Sequence, residues 1–123
     1  MRVPEIIKDI VHGFVEQTKQ LLTTKLFRII LYGSYARGDF CDNSDVDLMI
    51  LVRDMSEREI RVMEEKLCDI AFEIELDKEI HISVIVKDEI QFESWEDILP
   101  FYCNIRKEGI EIFKEEGDVW KIY

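Results

Sequence analysis

The sequence predicts a domain of the α/β or α+β class, in which helices cover a small sheet. Two observations lead to this class: apolar residues recur at helical spacing in some segments, and short apolar runs that end at turn residues alternate with those segments. Of the 123 residues, 47% are hydrophobic and 35% are charged, which is a globular composition with enough apolar residues for one modest core. No repeat or linker interrupts the pattern, so we expect a single domain over residues 1–123.

The first half of the chain is predicted to hold one helix and two strands. A helix is expected at residues 4–22, because apolar side chains recur every three or four positions and Pro4 suits a first helical turn. Two short apolar runs follow at residues 26–32 and 46–52, and each has the length of a buried strand. Gly33 ends the first run, and the polar stretch between the two runs has the composition of a loop.

The second half of the chain begins with a helix whose start is well marked. Ser56 and Glu59 form a capping box, and a stripe of apolar residues at helical spacing then continues to about residue 76. A third strand is expected at residues 80–86, and a short helix at residues 88–93.

The last part of the chain is expected to contain a helix, a strand and a tail. The helix covers residues 94–107, with an interruption or restart near Pro100, and Gly109 caps its end. Residues 110–113 form a short edge strand. Large apolar residues then follow in the tail: Val119, Trp120, Ile122 and Tyr123. The tail either folds back onto its own domain or docks on a second protein chain, which could be another copy of this one.

The charge balance is strongly acidic, with 27 Asp and Glu against 16 Lys and Arg and a net charge of -11. Contacts to phosphate backbones need clustered Lys and Arg, so we do not expect the protein to bind nucleic acid. The excess of carboxylates suits a protein that recruits a divalent metal or meets a basic partner, although a soluble surface explains it equally well.

Other bulk features favour a cytoplasmic protein without a membrane span. No apolar run approaches the roughly 18 residues of a membrane helix. Acidic residues occur close to the start of the sequence, whereas a signal peptide has a basic start followed by an apolar segment. The three cysteines are widely spaced and are expected to be free thiols. His12 and His81 are too few and too far apart in sequence to suggest a zinc site.

Asp45 and Asp47 are the first candidates for chemistry. They are two residues apart at the start of a predicted strand, so both side chains project from the same face. Two carboxylates that lie this close repel each other unless a cation or solvent compensates. Mg²⁺ prefers a few carboxylate oxygens together with substrate phosphates, and this pair fits that preference. An isolated pair of this kind is also explained by a solvated strand end.

Gly33 and Ser34 change that balance, because they offer a place for a phosphate beside the carboxylates. A glycine at the end of a buried strand lets backbone N–H groups approach a phosphate, and Ser34 adds a hydroxyl donor in the same turn. A short helix that starts at Ser34 would favour an anion further. Arg37 could offer a fork of donors to phosphate, and Gly38 permits another tight turn.

These residues make the chain similar to a known group of proteins. Ser34, ten intervening residues and then Asp45 and Asp47 resemble the G-S-x10-D-x-D signature of the polymerase beta-like nucleotidyltransferase superfamily. The stretches G-S-Y-A-R-G at residues 33–38 and S-D-V-D-L at residues 44–48 resemble its small stand-alone members, the minimal nucleotidyltransferases. On this resemblance we place Gly33, Ser34, Arg37 and Ser44 as candidates for phosphate binding.

The resemblance implies a mixed sheet with flanking helices and a defined chemistry. It implies that the protein binds Mg²⁺ and ATP or another nucleoside triphosphate. It also implies transfer of a nucleoside monophosphate to an acceptor with release of pyrophosphate, with Asp45 and Asp47 as the metal-holding catalytic residues.

The chain departs from the superfamily pattern at the third carboxylate, which is expected on a later strand. Alternation along the third predicted strand places His81, Ser83 and Ile85 on one face, so His81 occupies the slot of that carboxylate and could serve as a general base. It could equally be an ordinary strand histidine. Glu73 and Glu75 precede this strand and could substitute, although a solvated helix end explains them more simply.

Three functions are compatible with this sequence. The first is an enzyme that modifies a protein, because minimal nucleotidyltransferases are often antitoxins beside HEPN-type ribonuclease toxins, and some add AMP to a toxin. The second is a small-molecule transferase of the kind that adenylylates antibiotics, although such enzymes usually carry a further helical domain. The third is a nucleotide-binding antitoxin that acts by contact, which the absence of the third carboxylate would favour.

Overall fold

The computed structural model describes residues 3–115 and 117–122, and for residues 117–122 it describes the backbone. The helices are α1 (Glu5–Leu22), α2 (Ser34–Arg37), α3 (Glu57–Lys78), α4 (Glu89–Trp95) and α5 (Pro100–Glu108), with a short 3-10 turn at Thr23–Lys25. The strands are β1 (Leu26–Tyr32), β2 (Val46–Val52), β3 (Ile82–Asp88), β4 (Ile110–Lys114) and β5 (Gly117–Ile122). Helices and strands alternate as the sequence pattern predicted.

The strands form one mixed sheet in the order β3-β2-β1-β4-β5. β2 and β3 are parallel and are joined by α3, whereas β1 pairs antiparallel with both β2 and β4. β1 is therefore the central strand, with β2 and β4 on either side of it, and β1 and β2 are almost completely buried. The expected mixed sheet flanked by helices is confirmed.

Helices cover both faces of the sheet. α1 and α3 pack on one face, where Phe14, Val11 and Leu67 are fully buried against alternate residues of the strands. α4 and α5 pack on the other face, where Phe92 and Ile105 contact a smaller cluster from β1 and β2. This second pair of helices matters for function, because it lies on the face from which Asp47 projects.

Element boundaries follow the sequence signals, with small shifts. The capping box is present: Ser56 Oγ accepts from the Glu59 N–H, and Glu59 Oε1 accepts from the Ser56 N–H. α3 runs to Lys78 and ends at Glu79 in a left-handed conformation, so β3 starts at Ile82, two residues later than predicted. Helix α4 ends at Trp95, and α5 restarts at Pro100, as expected for a residue that suits a first turn.

Gly109 follows the end of α5 as predicted, but it does not adopt the conformation of a glycine cap. Its φ of -68 is not left-handed, so the helix does not end in the expected glycine cap conformation. A side chain at Gly109 would meet the Ile105 carbonyl oxygen at 2.5 Å and Ile30 Cγ2 at 2.6 Å. Glycine is needed there because α5 and β1 approach each other closely.

The end of the chain corrects the predicted edge strand. β4 is not the edge, because Gly117–Ile122 pairs antiparallel with it as a fifth strand. The backbone of the tail therefore folds onto its own domain. The side chains of the apolar tail residues, including Tyr123, lie outside the described residues, so docking of a second chain there stays a prediction. Within residues 3–115 and 117–122, none of the helices combines the length and apolar character needed to cross a bilayer.

Candidate active site

Asp45 and Asp47 lie at the start of β2, on the face that α5 covers. Asp47 is half-buried, and the strand register places it beside Tyr32 of β1 and Ser83 of β3. Asp45 precedes the strand and is exposed. The predicted arrangement of two carboxylates on one face is therefore what the fold provides.

The electrostatics of the pair show a site with excess negative charge. Burial raises the pKa of Asp47, and the charge of Asp45 raises it further, while Arg37 and His81 lower it. A carboxylate with a raised pKa is less stable in its charged form than it would be in water. A cation between these two side chains would relieve that cost.

Gly33 forms a tight turn directly against Asp47. Its φ is +79, a conformation that residues with a side chain adopt rarely. A Cβ at this position would collide with Asp47 Oδ2. The positive φ therefore favours glycine at this position, and a side chain here would also displace the Asp47 carboxylate from the place it has beside the turn.

The turn leads into α2, whose first turn carries unused donors. Gly33 O accepts from the N–H groups of Ala36 and Arg37 at 3.1 and 3.0 Å, and no side chain caps the helix. The N–H groups of Ser34 and Tyr35, which precede these two, have no acceptor among the described residues. Ser34 is half-buried, and its hydroxyl makes no hydrogen bond to a described residue. The predicted helix start at Ser34 is confirmed, and these donors lie beside the two carboxylates.

These groups share one cavity of about 370 Å³. One wall is the end of β1, the α2 turn and the start of β2, and the other wall is one face of α5. The lining residues are Tyr32, Gly33, Ser34, Arg37, Asp45, Asp47, Phe101, Asn104, Ile105 and Glu108. The α5 wall was not predicted, although Phe101, Asn104, Ile105 and Glu108 have the helical spacing that could have suggested a common face.

Tyr32 contributes a neutral hydroxyl to this cavity. Burial, and then the charge of Asp47, raise the pKa of Tyr32 to about 12. The phenol therefore keeps its proton at every physiological pH and adds no charge beside the carboxylates.

Arg37 lines the cavity but is engaged by carboxylates. Its Nε donates to Asp39 Oδ2 at 3.1 Å, and its Nη1 donates to Glu108 Oε1 at 3.5 Å. All three side chains are at least one-third exposed, and ion pairs of this kind contribute little to stability. A phosphate can therefore replace either carboxylate as the acceptor, so the candidate role of Arg37 is kept.

Ser44 is not placed in the cavity. Its hydroxyl accepts from the Cys41 N–H at 2.8 Å, and its own N–H donates to Cys41 O at 3.0 Å. These bonds close the turn that precedes Asp45. The geometry thus gives Ser44 a role in shaping the loop, and its predicted contact to phosphate stays a prediction.

His81 lies one residue before β3 rather than on the strand. Its carbonyl accepts from the Val46 N–H at 2.9 Å, which places it beside Asp45. The imidazole is exposed and belongs to a neighbouring cavity of about 310 Å³ on the α3 side. Its Nδ1 lies 2.9 Å from Glu75 Oε1, and this hydrogen bond is the main reason that the pKa of His81 is raised, with Asp45 and Asp47 adding to it.

Glu75 therefore contacts a candidate site residue. The sequence left two interpretations of Glu75 open: an exposed residue at a solvated helix end, or a substitute for the third carboxylate. Glu75 reaches back from the end of α3 to orient the imidazole. Glu73 does not, because it faces the groove between α1 and α3. The pair of Glu75 and His81 lines a different cavity from the one that α5 lines, and the carboxylates of Asp45 and Asp47 both lie close enough to raise the pKa of His81.

The donors present fit one kind of metal. Among the described residues, no group of three or more His, Cys, Asp or Glu side chains is arranged to hold a metal ion alone. Asp45 and Asp47 supply oxygen atoms, which suit Mg²⁺ when phosphate oxygens complete its shell. The site thus fits a metal that arrives with a nucleotide, and it does not fit a metal held by protein alone.

Comparison with known proteins agrees with this geometry. Residues 11–117 match the family model described as a nucleotidyltransferase domain. A protein of Methanocaldococcus jannaschii that carries the provisional name protein adenylyltransferase is 33% identical over 119 residues, which is 97% of this chain and 79% of that protein. A second protein of the same organism, with the same provisional name, is 41% identical over 86 residues, which is 70% of this chain and 80% of that protein.

Solved structures share the fold at lower identity. A provisionally named nucleotidyltransferase from Sulfolobus solfataricus superposes with a TM-score of 0.59 at 21% identity, over 90% of this chain and 84% of that one. A structure described as a toxin-antitoxin with AMP-PNP gives a TM-score of 0.51 at 22% identity, over 83% of this chain and 72% of that one. With the fold, the motif and the match over most of its length in agreement, this chain belongs to the nucleotidyltransferase domain family.

Proposed function

We propose that the protein is a Mg²⁺-dependent adenylyltransferase that transfers AMP from ATP to a protein acceptor. The observation that carries this proposal is the shared cavity in which the Gly33 turn, the Ser34 hydroxyl and the Asp45 and Asp47 carboxylates meet. The names of the two archaeal relatives support adenylyl transfer to protein as the reaction.

Each residue has a role that follows from its position. Ser34 and the first N–H groups of α2 hold the phosphates of ATP, and Arg37 exchanges its carboxylate partners for a phosphate oxygen. Asp45 and Asp47 hold Mg²⁺. When bound, the metal neutralises the charge that develops on the phosphates. Gly33 keeps the phosphate turn in contact with Asp47.

The acceptor is expected to approach from the side of His81 and Glu75, because ATP fills the other cavity, which α5 lines. The acceptor hydroxyl oxygen bonds to the α-phosphorus, and the bond from that phosphorus to the bridging oxygen breaks, so pyrophosphate leaves. His81 Nε2 accepts the hydroxyl proton, while Glu75 holds Nδ1 and fixes the ring. In this scheme the pair takes the place of the third carboxylate that the superfamily pattern contains.

The proposed biological partner is a toxin of the HEPN type, with this protein as its antitoxin. One of the solved structures with this fold is described as a toxin-antitoxin, crystallised with AMP-PNP. The net charge of -11 suits a basic partner and would speed association at low salt. A second copy of this chain is the alternative partner, and native mass spectrometry of the purified protein would distinguish the two.

One observation favours a second function, in which the protein binds nucleotide and inhibits a toxin by contact alone. No described group of three metal-holding side chains is present at the carboxylate pair. Under this alternative ATP and Mg²⁺ bind, but no AMP is transferred.

Labelled ATP tests the proposal. The protein is incubated with cell extract and Mg²⁺, together with ATP labelled on either its α- or its γ-phosphate. Adenylyl transfer predicts that adding the protein increases protein-bound label from the α-phosphate, with no increase in γ-phosphate label over that of the extract alone. The double variant Asp45→Asn with Asp47→Asn should abolish the α-phosphate labelling. The control double variant, Asp69→Asn with Asp77→Asn, removes the same charge from exposed sites on α3 and should retain the labelling. Binding of ATP without any α-label on protein would favour the contact mechanism instead.

His81 and Glu75 are tested in the same assay. His81→Gln should slow the transfer by about 10²- to 10⁴-fold, the range typical of a general base, with ATP affinity nearly unchanged. Glu75→Gln keeps a hydrogen bond to the ring and should slow transfer less. Full activity in His81→Gln would show that it is an ordinary histidine.

A further inference from the structure

The wall of the cavity that α5 supplies has no part in holding phosphate or metal. Phe101, Asn104, Ile105 and Glu108 face the cavity from one side of this helix. Glu108 lies at the α2 end, because its carboxylate is 3.5 Å from Arg37 Nη1. Phe101 lies two turns earlier, about 10 Å away along the helix axis at 1.5 Å per residue. One end of this wall therefore borders the phosphate turn, and the other end lies at a distance that suits the nucleoside of the same nucleotide.

Phe101 presents an open aromatic surface at that far end. The ring is perpendicular to that of Tyr32, with 5.7 Å between centroids and 86° between planes. It is also tilted against Tyr102 at 5.8 Å. These two contacts restrict the orientation of the ring, and the residue nevertheless remains 44% exposed. A large aromatic side chain that is fixed in place but open to solvent at a ligand cavity is suited to stack against a flat ligand.

Asn104 supplies the polar group next to this ring. It lies three residues after Phe101 on the same helical face, is exposed, and lines the cavity. A carboxamide offers one donor and one acceptor side by side. The N6 and N7 edge of adenine offers a donor and an acceptor in the matching order, whereas the corresponding edge of guanine offers two acceptors.

We propose that Phe101 and Asn104 form the nucleobase subsite of this cavity, in which Phe101 stacks on the base and Asn104 selects adenine over guanine. This inference rests on the proposed function, since it assigns the base end of the same nucleotide site. It assigns the choice of nucleotide to α5, while the motif residues at the other end recognise the triphosphate whatever base it carries.

The test compares ATP with inorganic triphosphate, which has no base. Calorimetry in the presence of Mg²⁺ measures both ligands on the wild type and on Phe101→Ala, Phe101→Leu and Phe101→Trp. Phe101→Ala and Phe101→Leu should weaken ATP binding by about 5- to 10-fold, the lower end of the range for one stacked base, and leave triphosphate binding unchanged. Phe101→Trp should retain ATP binding. Phe72→Ala, an exposed phenylalanine on α3, is the matched control and should change neither affinity.

Asn104 is tested by nucleotide preference. The wild type should bind ATP more tightly than GTP, and Asn104→Ala should bring the ratio of the two affinities close to one while triphosphate affinity stays the same. Melting temperatures of all variants confirm that each is folded.

The outcomes separate the inference from the proposed function. Equal weakening of ATP and triphosphate in Phe101→Ala, or no change in either, would overturn the nucleobase subsite while leaving the phosphate site intact. Unchanged ATP affinity with lost transfer of AMP to protein would assign the ring to the acceptor and also overturn it. A wild type that binds neither ligand would overturn the proposed function itself, and the subsite with it.

Discussion

At the scale of single residues, the site is shaped by the contact between Gly33 and Asp47. Gly33 has a positive φ, and a Cβ at this position would collide with Asp47 Oδ2. The conformation of the turn and the position of the Asp47 carboxylate therefore depend on each other. This contact places the start of α2 next to the Asp45 and Asp47 carboxylates, which are the proposed phosphate and metal sites. The half-buried position it gives Asp47 also disfavours the charged form of that side chain, so the site carries a cost that its ligands would relieve.

Ser34→Ala is expected to weaken ATP binding without unfolding the protein. The hydroxyl makes no hydrogen bond to a described residue, so its removal leaves no buried partner behind. The loss should be about 1 kcal/mol or somewhat more, the scale of a hydrogen bond to a charged group. Calorimetry with ATP and Mg²⁺ measures it, and Ser94→Ala on the exposed side of α4 is the control. An unfolded Ser34→Ala variant would instead indicate a structural role.

Asp47→Asn is expected to raise the melting temperature in metal-free buffer at neutral pH. The folded state raises the pKa of Asp47, so it binds this proton more tightly than the unfolded state does. The contribution of Asp47 to stability is therefore most favourable below its ordinary pKa of 3.8, and it is lost as the pH rises through the folded pKa. The asparagine has no such dependence.

Thermal unfolding with a chelator, at about pH 4 and at about pH 7.5, measures the difference between Asp47→Asn and wild type. The difference should be larger at the higher pH, and Asp42→Asn, an exposed carboxylate in the preceding loop, should show no such trend. The same Asp47→Asn variant should lose Mg²⁺-dependent ATP binding. A variant that is no more stable than wild type at either pH would contradict the proposed cost of this carboxylate.

At the scale of elements, a buried ionic cluster joins β1, β4 and α4. Arg28 is 8% exposed, and its Nε donates to Glu111 Oε2 at 2.6 Å. Its Nη1 lies 3.8 Å from Glu89 Oε1. Neither carboxylate oxygen of Glu89 has a hydrogen-bond partner among the described residues. One arginine thus compensates two buried carboxylates and helps to attach α4 to the sheet behind the cavity.

Arg28→Met is expected to destabilise the protein by about 3–5 kcal/mol, because it leaves two buried carboxylates without their cation. Chemical denaturation measures the change in the free energy of unfolding. Arg53→Met is the matched control: Arg53 pairs with Glu115 at the surface, and its loss should cost about 1 kcal/mol or less. Similar losses for the two variants would mean that the buried cluster contributes no more than a surface pair.

At the scale of the whole molecule, the proposed nucleotide site joins parts of the chain that are far apart in sequence. The end of β1 and the start of β2 form one wall, and α5 forms the other; α5 begins 68 residues after the end of β1 and 54 residues after the start of β2. A ligand that contacts both walls stabilises only the folded chain, so binding and folding are linked.

ATP with Mg²⁺ is therefore expected to raise the melting temperature of the whole domain. At a free concentration of about 100 times Kd, the stabilisation is about 2.7 kcal/mol, or roughly 10 °C for a domain of this size. Differential scanning calorimetry measures the shift. It should vanish in Asp45→Asn with Asp47→Asn and remain in Asp69→Asn with Asp77→Asn. A shift that persists in the first double variant would show that ATP binds elsewhere.

Local signals in the sequence determined the parts of the protein that depend on neighbouring residues. The apolar runs predicted β1 and β2 with the bounds that the structure has, and the capping box predicted the start of α3. The motif from Gly33 to Asp47 predicted the phosphate turn and the carboxylate pair, because one short loop carries both. The family itself followed from this motif.

Only the tertiary structure decided the features that depend on packing between distant elements. The α5 wall, the Glu75 and His81 contact, and the fifth strand beside β4 all join segments that carry no local signal for each other. Ser44 was assigned to phosphate by its place in the motif, and only the structure shows that its hydroxyl also accepts a hydrogen bond from the Cys41 N–H within the loop. The sequence pattern indicates which residues are suited to a chemistry. It does not determine where their side chains point or which residues they contact, because both depend on how the whole chain packs.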